Sequence, residues 1–167
     1  EMDSSTACED NEISTIIEFT TPNTDGNTTY TWTNDNTSIG LSSSGNGDIP
    51  SFTAINLNPI TEVATITVTP TYENNGVVCI GDPQTFSISV LSEIEITGTT
   101  VDALDCNDPN SGNINITVTG GSGVYDFLWS NGAITEDLNN IGPGDYSVTV
   151  TDSEGCLAIS ETFNIFR

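Results

Sequence analysis

Hydrophobic and polar residues alternate along this chain in short runs, and no stretch repeats apolar positions at helical spacing. Period-two alternation puts successive side chains on opposite faces of a strand, so each run predicts a half-buried β-strand. In the first half the predicted strands are 15–20, 29–33, 51–57, 63–71 and 84–91. Ala64, Ile66 and Val68 share one face of their strand, Phe86, Ile88 and Val90 one face of theirs, and Tyr30 and Trp32 point the same way. In the second half the predicted strands are 93–97, 101–104, 113–119, 125–129, 145–151 and 157–166. Ile114, Ile116 and Val118 face one way there, as do Tyr125, Phe127 and Trp129, and Tyr146, Val148 and Val150. A large aromatic on a sheet face is enough to centre a small sandwich core. Trp32 and Trp129 alternate with Tyr30 and Phe127, so both are expected in cores rather than as sugar-stacking platforms.

Turn-forming clusters separate the runs. Asn23-Thr24-Asp25-Gly26, Ser44-Gly45-Asn46-Gly47-Asp48 and Glu73-Asn74-Asn75-Gly76 each supply Gly where a turn needs positive φ. The sequence predicts two tandem β-sandwich domains, 1–92 and 93–167. The junction Leu91-Ser92-Glu93-Ile94 lacks Pro and Gly, which suggests a semi-rigid, end-to-end tandem.

Composition sharpens this mainly by exclusion. The 167 residues contain 24 acids, a single basic residue (Arg167) and no His, for a net charge of -23. Nucleic acid and anionic membrane surfaces both need Lys or Arg, so neither is an expected partner. Imidazole-based acid–base chemistry, Ser-His-Asp or Cys-His nucleophiles and histidine metal sites have no residues to use. A Lys–Asn isopeptide cross-link is excluded for want of Lys. Each half carries twelve acids, so no acidic tail or polarised patch is visible. No secretory leader and no run of 18 apolar residues is present, and the chain reads as a piece of a larger secreted protein.

Cys8, Cys79, Cys106 and Cys156 are widely spaced, with no Cys-x-x-Cys pair to suggest zinc. Disulfides in an oxidising compartment are the better reading, with three possible connectivities. Pairing neighbours, Cys8–Cys79 and Cys106–Cys156, would put one bridge in each domain, for about 4 kcal/mol each in the chain-entropy model.

Candidate chemistry rests on carboxylates and amides. Asp102, Asp105, Asn107, Asp108 and Asn110 crowd one loop, and the Cys106–Cys156 pairing would bring Asp152 and Glu154 near it. Oxygen ligands at this density suit Ca²⁺, although the EF-hand spacing is not met and Asp and Asn also cap turns without metal. The candidate calcium ligands are Asp102, Asp105, Asn107, Asp108 and Asp152; no other cofactor is expected. Asp25, Asp35 and Asp48 could converge at one end of the first sandwich as binding loops do, against the simpler reading that each belongs to its own turn. Among 24 acids some close pair is inevitable, and no apolar pocket signature surrounds any of them, so a glycosidase is disfavoured and no catalytic residue is assigned. Glycosylation sequons start at Asn27, Asn36 and Asn115.

Two stretches carry a family resemblance. Cys106, Gly112, Gly120, Gly121, Tyr125, Trp129, Ser130, Gly132, Gly144, Tyr146, Val148, Val150, Asp152, Gly155 and Cys156 fall in a recognisable order. They make a Gly-Gly turn, a Tyr-x-x-x-Trp-Ser-x-Gly strand and hairpin, and a closing Gly-x-Tyr-x-Val-x-Val-x-Asp-x-x-Gly-Cys. This resembles the SprB repeat of Bacteroidetes cell-surface adhesins, except that the family's short Cys-x-Gly turn is here the longer 106–112. Residues 30–58, 64–70 and Cys79-Ile80-Gly81 resemble the PKD-like modules found beside such repeats. The resemblance implies a tandem of Ig-like sandwiches acting as a non-catalytic structural or adhesive module of a long repetitive adhesin. The parent would be extracellular and outer-membrane-associated, and linked to gliding motility and type IX secretion. Implied partners are neighbouring repeats of the same chain and a surface polysaccharide or other adhesion target, with no membrane insertion by this segment. If the source is bacterial, standard N-glycosylation is not expected. The alternative reading is a calcium-dependent glycan-binding module.

Overall fold

The longest alternating runs of the sequence become the longest strands. The computed structural model describes residues 4–13, 17–23 and 25–167. It divides into two units, Glu1–Ser92 and Glu93–Arg167. Both are built from strands, as the alternation predicts; among the described residues a single 3-10 turn, Thr37–Ile39, interrupts them.

The strands of the first unit are β1 (Ser5–Ala7), β2 (Glu12–Ile13), β3 (Asn27–Asn34), β4 (Ser44–Asn46), β5 (Phe52–Thr53), β6 (Glu62–Asn74), β7 (Val77–Ile80) and β8 (Gln84–Val90). The main sheet runs β1-β8-β6-β3-β4, and β7 also pairs with β6. β1 is parallel to β8, and the other pairings of the sheet are antiparallel. A smaller layer holds the β2–β5 pair and a bridge between Ile17 and Ile49. The inward residues named by periodicity form the core: Trp32 from β3, Ala64, Ile66 and Val68 from β6, and Phe86, Ile88 and Val90 from β8. Ile39, Leu41, Ile49 and Ala54 are buried with them, and Phe19, Tyr30 and Phe52 pack partly buried against them.

Two local corrections follow from packing. Ser44–Asn46 is an edge strand rather than a turn, because Gly45 lies against the Trp32 indole where a Cβ would collide with the ring. The Glu73–Gly76 turn is tighter than its sequence suggests. β6 runs to Asn74, and Asn75 and Gly76, with φ of 51° and 78°, close a two-residue hairpin into β7. Of the run 51–57 only Phe52–Thr53 is strand. Residues 15 and 16 of the run 15–20 lie outside the described residues.

The second unit contains β9 (Glu95–Val101), β10 (Gly112–Thr119), β11 (Tyr125–Trp129), β12 (Leu138–Ile141), β13 (Gly144–Tyr146), β14 (Val148–Asp152), β15 (Leu157–Ile159) and β16 (Phe163–Ile165). They form the sheets β12-β10-β9 and β11-β14-β15 and the pair β13–β16. Ile114, Ile116, Trp129, Leu138, Val148, Val150 and Ile165 are buried. Trp129 packs on Phe163 at 6.0 Å between centroids and donates its indole N–H to Thr135 O at 2.8 Å. A single strand, β9, bridges the gap between the runs 93–97 and 101–104, and the chain leaves the sheet after Val101, so 102–104 are not strand. There the Ala103 N–H donates to Phe166 O, and the Phe166 N–H to the Asp102 carboxylate. The runs 145–151 and 157–166 each break in two, because β13 and β16 pair with one another while β14 and β15 pair in a different sheet.

The pairing of neighbouring cysteines is wrong, and with it the expectation of one disulfide per domain. Cys8 and Cys156 are disulfide-bonded, while Cys79 and Cys106 carry exposed free thiols. Strand register gives the reason. Ala7 lies opposite Val90 and Val90 opposite Glu62, whereas Cys79 lies opposite Tyr72, ten residues further along β6. That is about 33 Å of strand, against the roughly 4.4–6.8 Å between Cα atoms that a disulfide requires. In the second unit Cys106 follows the C-terminal end of β9, while Cys156 donates its N–H to Asp152, which is itself beside Gly121 and Ile94 at the other end of β9.

Two outcomes are expected. A thiol reagent added without reductant should label Cys79 and Cys106 and spare Cys8 and Cys156, read by peptide mass mapping; protection of Cys79 would contradict the register. Gly45→Ala should displace the Trp32 indole and lower the stability of the first unit by about 1–3 kcal/mol, measured by chemical denaturation.

Candidate functional site

With so few cations in the sequence, backbone N–H groups are the donors available to most carboxylates. Asp35 Oδ1 accepts from the Thr65 N–H at 2.6 Å, and Asp48 Oδ1 from the Phe19 N–H at 2.8 Å. Asp137 takes the Ile116 N–H on one oxygen and the Asn115 side-chain amide on the other, at 2.9 and 3.0 Å. Asp35 and Asp137 tie a loop to a strand, and Asp48 ties two loop segments together.

The predicted calcium ligands show the same behaviour. Asp105 Oδ1 accepts from Asn107 N at 2.8 Å and Asp108 Oδ1 from Asn110 N at 2.9 Å, both short-range Asx turns. The Asp105 N–H in turn donates to the Ser111 hydroxyl, and Asp102 accepts from Phe166 N at 3.0 Å. Asp152 is not in this loop. It ends β14, opposite Tyr125, and its distance from the loop is set by the length of β9, on the order of 20 Å. It is 4% exposed and accepts from the N–H groups of Ser122, Glu154 and Cys156 at 2.8–2.9 Å. Asp152 therefore organises the 120–123 and 152–156 turns from inside. Among the described residues, no group of three or more His, Cys, Asp or Glu side chains is placed to hold a metal ion.

Asp25, Asp35 and Asp48 do not converge. Asp25 precedes β3 and Asp35 follows it, so the eight residues of β3 separate them. Asp48 lies past the end of β4, where Asn46 pairs with Thr31. Both tryptophans are core residues, Trp32 at 4% and Trp129 at 2% exposure. The side-chain amides of Asn36 and Asn115 are engaged by Glu62 and Asp137.

Periodicity missed the polar residues that pin loops. The buried Asn34 donates to the Leu41 and Ser42 carbonyls, and the buried Asn56 to those of Ile60 and Val90. Glu62 accepts from Asn36 at 2.6 Å, Asn58 at 2.5 Å and Ser38 at 3.2 Å. Hydrogen bonds from Asn36, then Asn58 and Ser38, hold this carboxyl below its ordinary pKa against a smaller opposing effect of burial. Burial, then the Asp152 charge, raises the Tyr125 phenol above its ordinary value; its hydroxyl donates to Gly120 O at 2.6 Å.

A groove of about 520 Å³ opens beside the N-terminal half of β3, where β4 no longer covers that strand. Phe19, Thr28 to Thr31, Asn46, Gly47 and Asp48 line it. Phe19 and Tyr30 meet there at 5.4 Å between centroids.

Residues 97–134 match the SprB repeat family. The match spans β9, β10 and β11 and stops short of the Tyr146–Cys156 segment. No curated protein matches. Among solved structures, the chain is similar to a C-terminal 282-residue fragment of intimin, solved in complex with the intimin-binding domain of the translocated intimin receptor. The identity is 15%, the TM-score 0.48, and the alignment covers 85% of this chain. The chain spans about half the length of that fragment (53%). Among the described residues no helix is long and apolar enough to cross a membrane.

Glu62 sets an acid dependence. A carboxyl whose folded pKa lies below its unfolded value of about 4.3 contributes stability that is complete above that pH. The contribution is lost as pH falls through the folded value. Acid unfolding of the first unit should contain a component that Glu62→Gln removes; identical acid midpoints would refute it. Asp152→Ala strands three backbone donors and should cost roughly 2–4 kcal/mol in the transition reported by Trp129. Asp152→Asn, which keeps one acceptor oxygen, should lose less.

Proposed function

We propose that this chain is a non-catalytic structural and adhesive module of a large secreted cell-surface adhesin, a PKD-like unit over 1–92 followed by a SprB-repeat unit over 93–167. The observation that carries this reading is the match of residues 97–134 to the SprB repeat family. The chemistry is consistent with it: many of the carboxylates bind the chain's own backbone amides, which suits a scaffold better than an acid–base pair. A net charge of -23 suppresses sticking between copies. Neighbouring repeats of the same chain and an extracellular adhesion target are the partners this role calls for, with gliding motility and type IX secretion its biological setting.

The geometry favours this reading over a calcium-dependent glycan module, because Asp152 stands apart from the 102–110 loop and is engaged by three N–H groups. Antibodies against this chain should stain intact cells of the source organism, and external protease should remove the signal. Staining only after permeabilisation would overturn the proposal. A thermal melt at fixed ionic strength should be the same in EDTA and in millimolar Ca²⁺. A rise of several degrees in Ca²⁺ that Mg²⁺ does not reproduce would restore the calcium-dependent reading.

A further inference from the structure

We propose that the groove beside the N-terminal half of β3 is a calcium-independent binding site for a neutral or amine-bearing pyranose unit of a glycan. The proposal rests on the adhesive reading above and names a site for it in the first unit.

Three features of the groove converge on that ligand. The first is its mixed wall. Phe19 and Tyr30, tilted at 49° to one another, supply aromatic surface, and Asn46, Asp48 and the threonines at 28, 29 and 31 supply polar groups. A pyranose is amphipathic in the same way, with an apolar C–H face and a rim of hydroxyls that both donate and accept. Second, the groove lies next to unspent hydrogen-bonding capacity. Among the described residues, Thr28 Oγ1 and Tyr30 Oη are buried hydroxyl oxygens without a partner. Buried hydroxyls are normally satisfied, and a small shift of the groove wall would open these two to a ligand hydroxyl. The third is a fixed acceptor. The Phe19 N–H holds Asp48 Oδ1 at 2.8 Å and so orients the carboxylate at the groove edge, where it can receive two neighbouring sugar hydroxyls or an ammonium group.

Charge narrows the class further. Sulfated or uronic sugars would meet a carboxylate in a chain of net charge -23, so the site selects against them. The edge of β3 beside the groove could instead receive an extended peptide as an added strand. That arrangement would leave the aromatic pair, the Asp48 carboxylate and the buried hydroxyls unused, so the saccharide fits better.

The test is an amide-resolved NMR titration of the full chain with methyl hexosides, glucosamine oligomers, a sulfated glycan and an unrelated extended peptide, in EDTA. The expected result is saturable shifts confined to 28–31 and 46–48 with a neutral or amino sugar, with Kd on the order of millimolar for one sugar unit. Asp48→Asn, which keeps an acceptor for the Phe19 N–H, should weaken binding about 10-fold or more. Asn46→Ala, at an exposed side chain, should weaken it without altering the melt. No sugar-induced shift at tens of millimolar, shifts elsewhere in the chain, binding only of the sulfated glycan, or binding only of the peptide would each overturn the proposal. Failure here would leave the cell-surface staining result unaffected, so the two readings fail separately.

Discussion

The structure depends on one shortage. A chain with 24 carboxylates and a single Arg cannot neutralise its acids by ion pairing. Its carboxylates turn to backbone N–H groups, and the loops are where such groups are free. Charge-assisted hydrogen bonds of this kind are shorter and stronger than neutral ones. Asp35, Asp137 and Asp152 each fasten a turn or loop to a strand in this way, and Asp48 and Asp102 fasten one irregular segment to another. Asn34, Asn56 and the Glu62 cluster do similar work with amides. The same residues that keep the surface strongly negative thus hold the irregular parts of the chain in place.

This use of carboxylates bears on function. A side chain engaged by the backbone of its own domain is a poor general acid and an incomplete metal ligand. Asp152 shows this most plainly: buried, it accepts from three N–H groups. The Asp48 carboxylate differs. It also anchors a loop, through Phe19, but does so at the rim of an open groove beside two aromatic rings. Position in the fold, and not residue type, separates a structural acid from one available to a ligand.

The strands were legible in the sequence because burial imposes period two on them. Ala64, Ile66, Val68, Phe86, Ile88 and Val90 are core residues as their alternation requires. Trp32 and Trp129 are buried for the same reason. Breaks were harder to read. The 157–166 run is continuous in sequence, yet β15 and β16 join different sheets, because partner strands decide where a strand must stop. Gly45 looked like turn chemistry and proved to be a packing requirement against Trp32, a contact 13 residues away in sequence.

By itself, then, the sequence determined the all-β class, the inward faces of the strands and the absence of basic and imidazole chemistry. These follow from local periodicity and composition, which need no knowledge of which segments meet. Only the tertiary structure decided the state of the cysteines, the separation of Asp152 from the 102–110 loop and the groove at Phe19, Tyr30 and Asp48. Those depend on register. A strand of seven to thirteen residues holds its two ends about 20–40 Å apart, and nothing in local spacing says which end a distant loop will join.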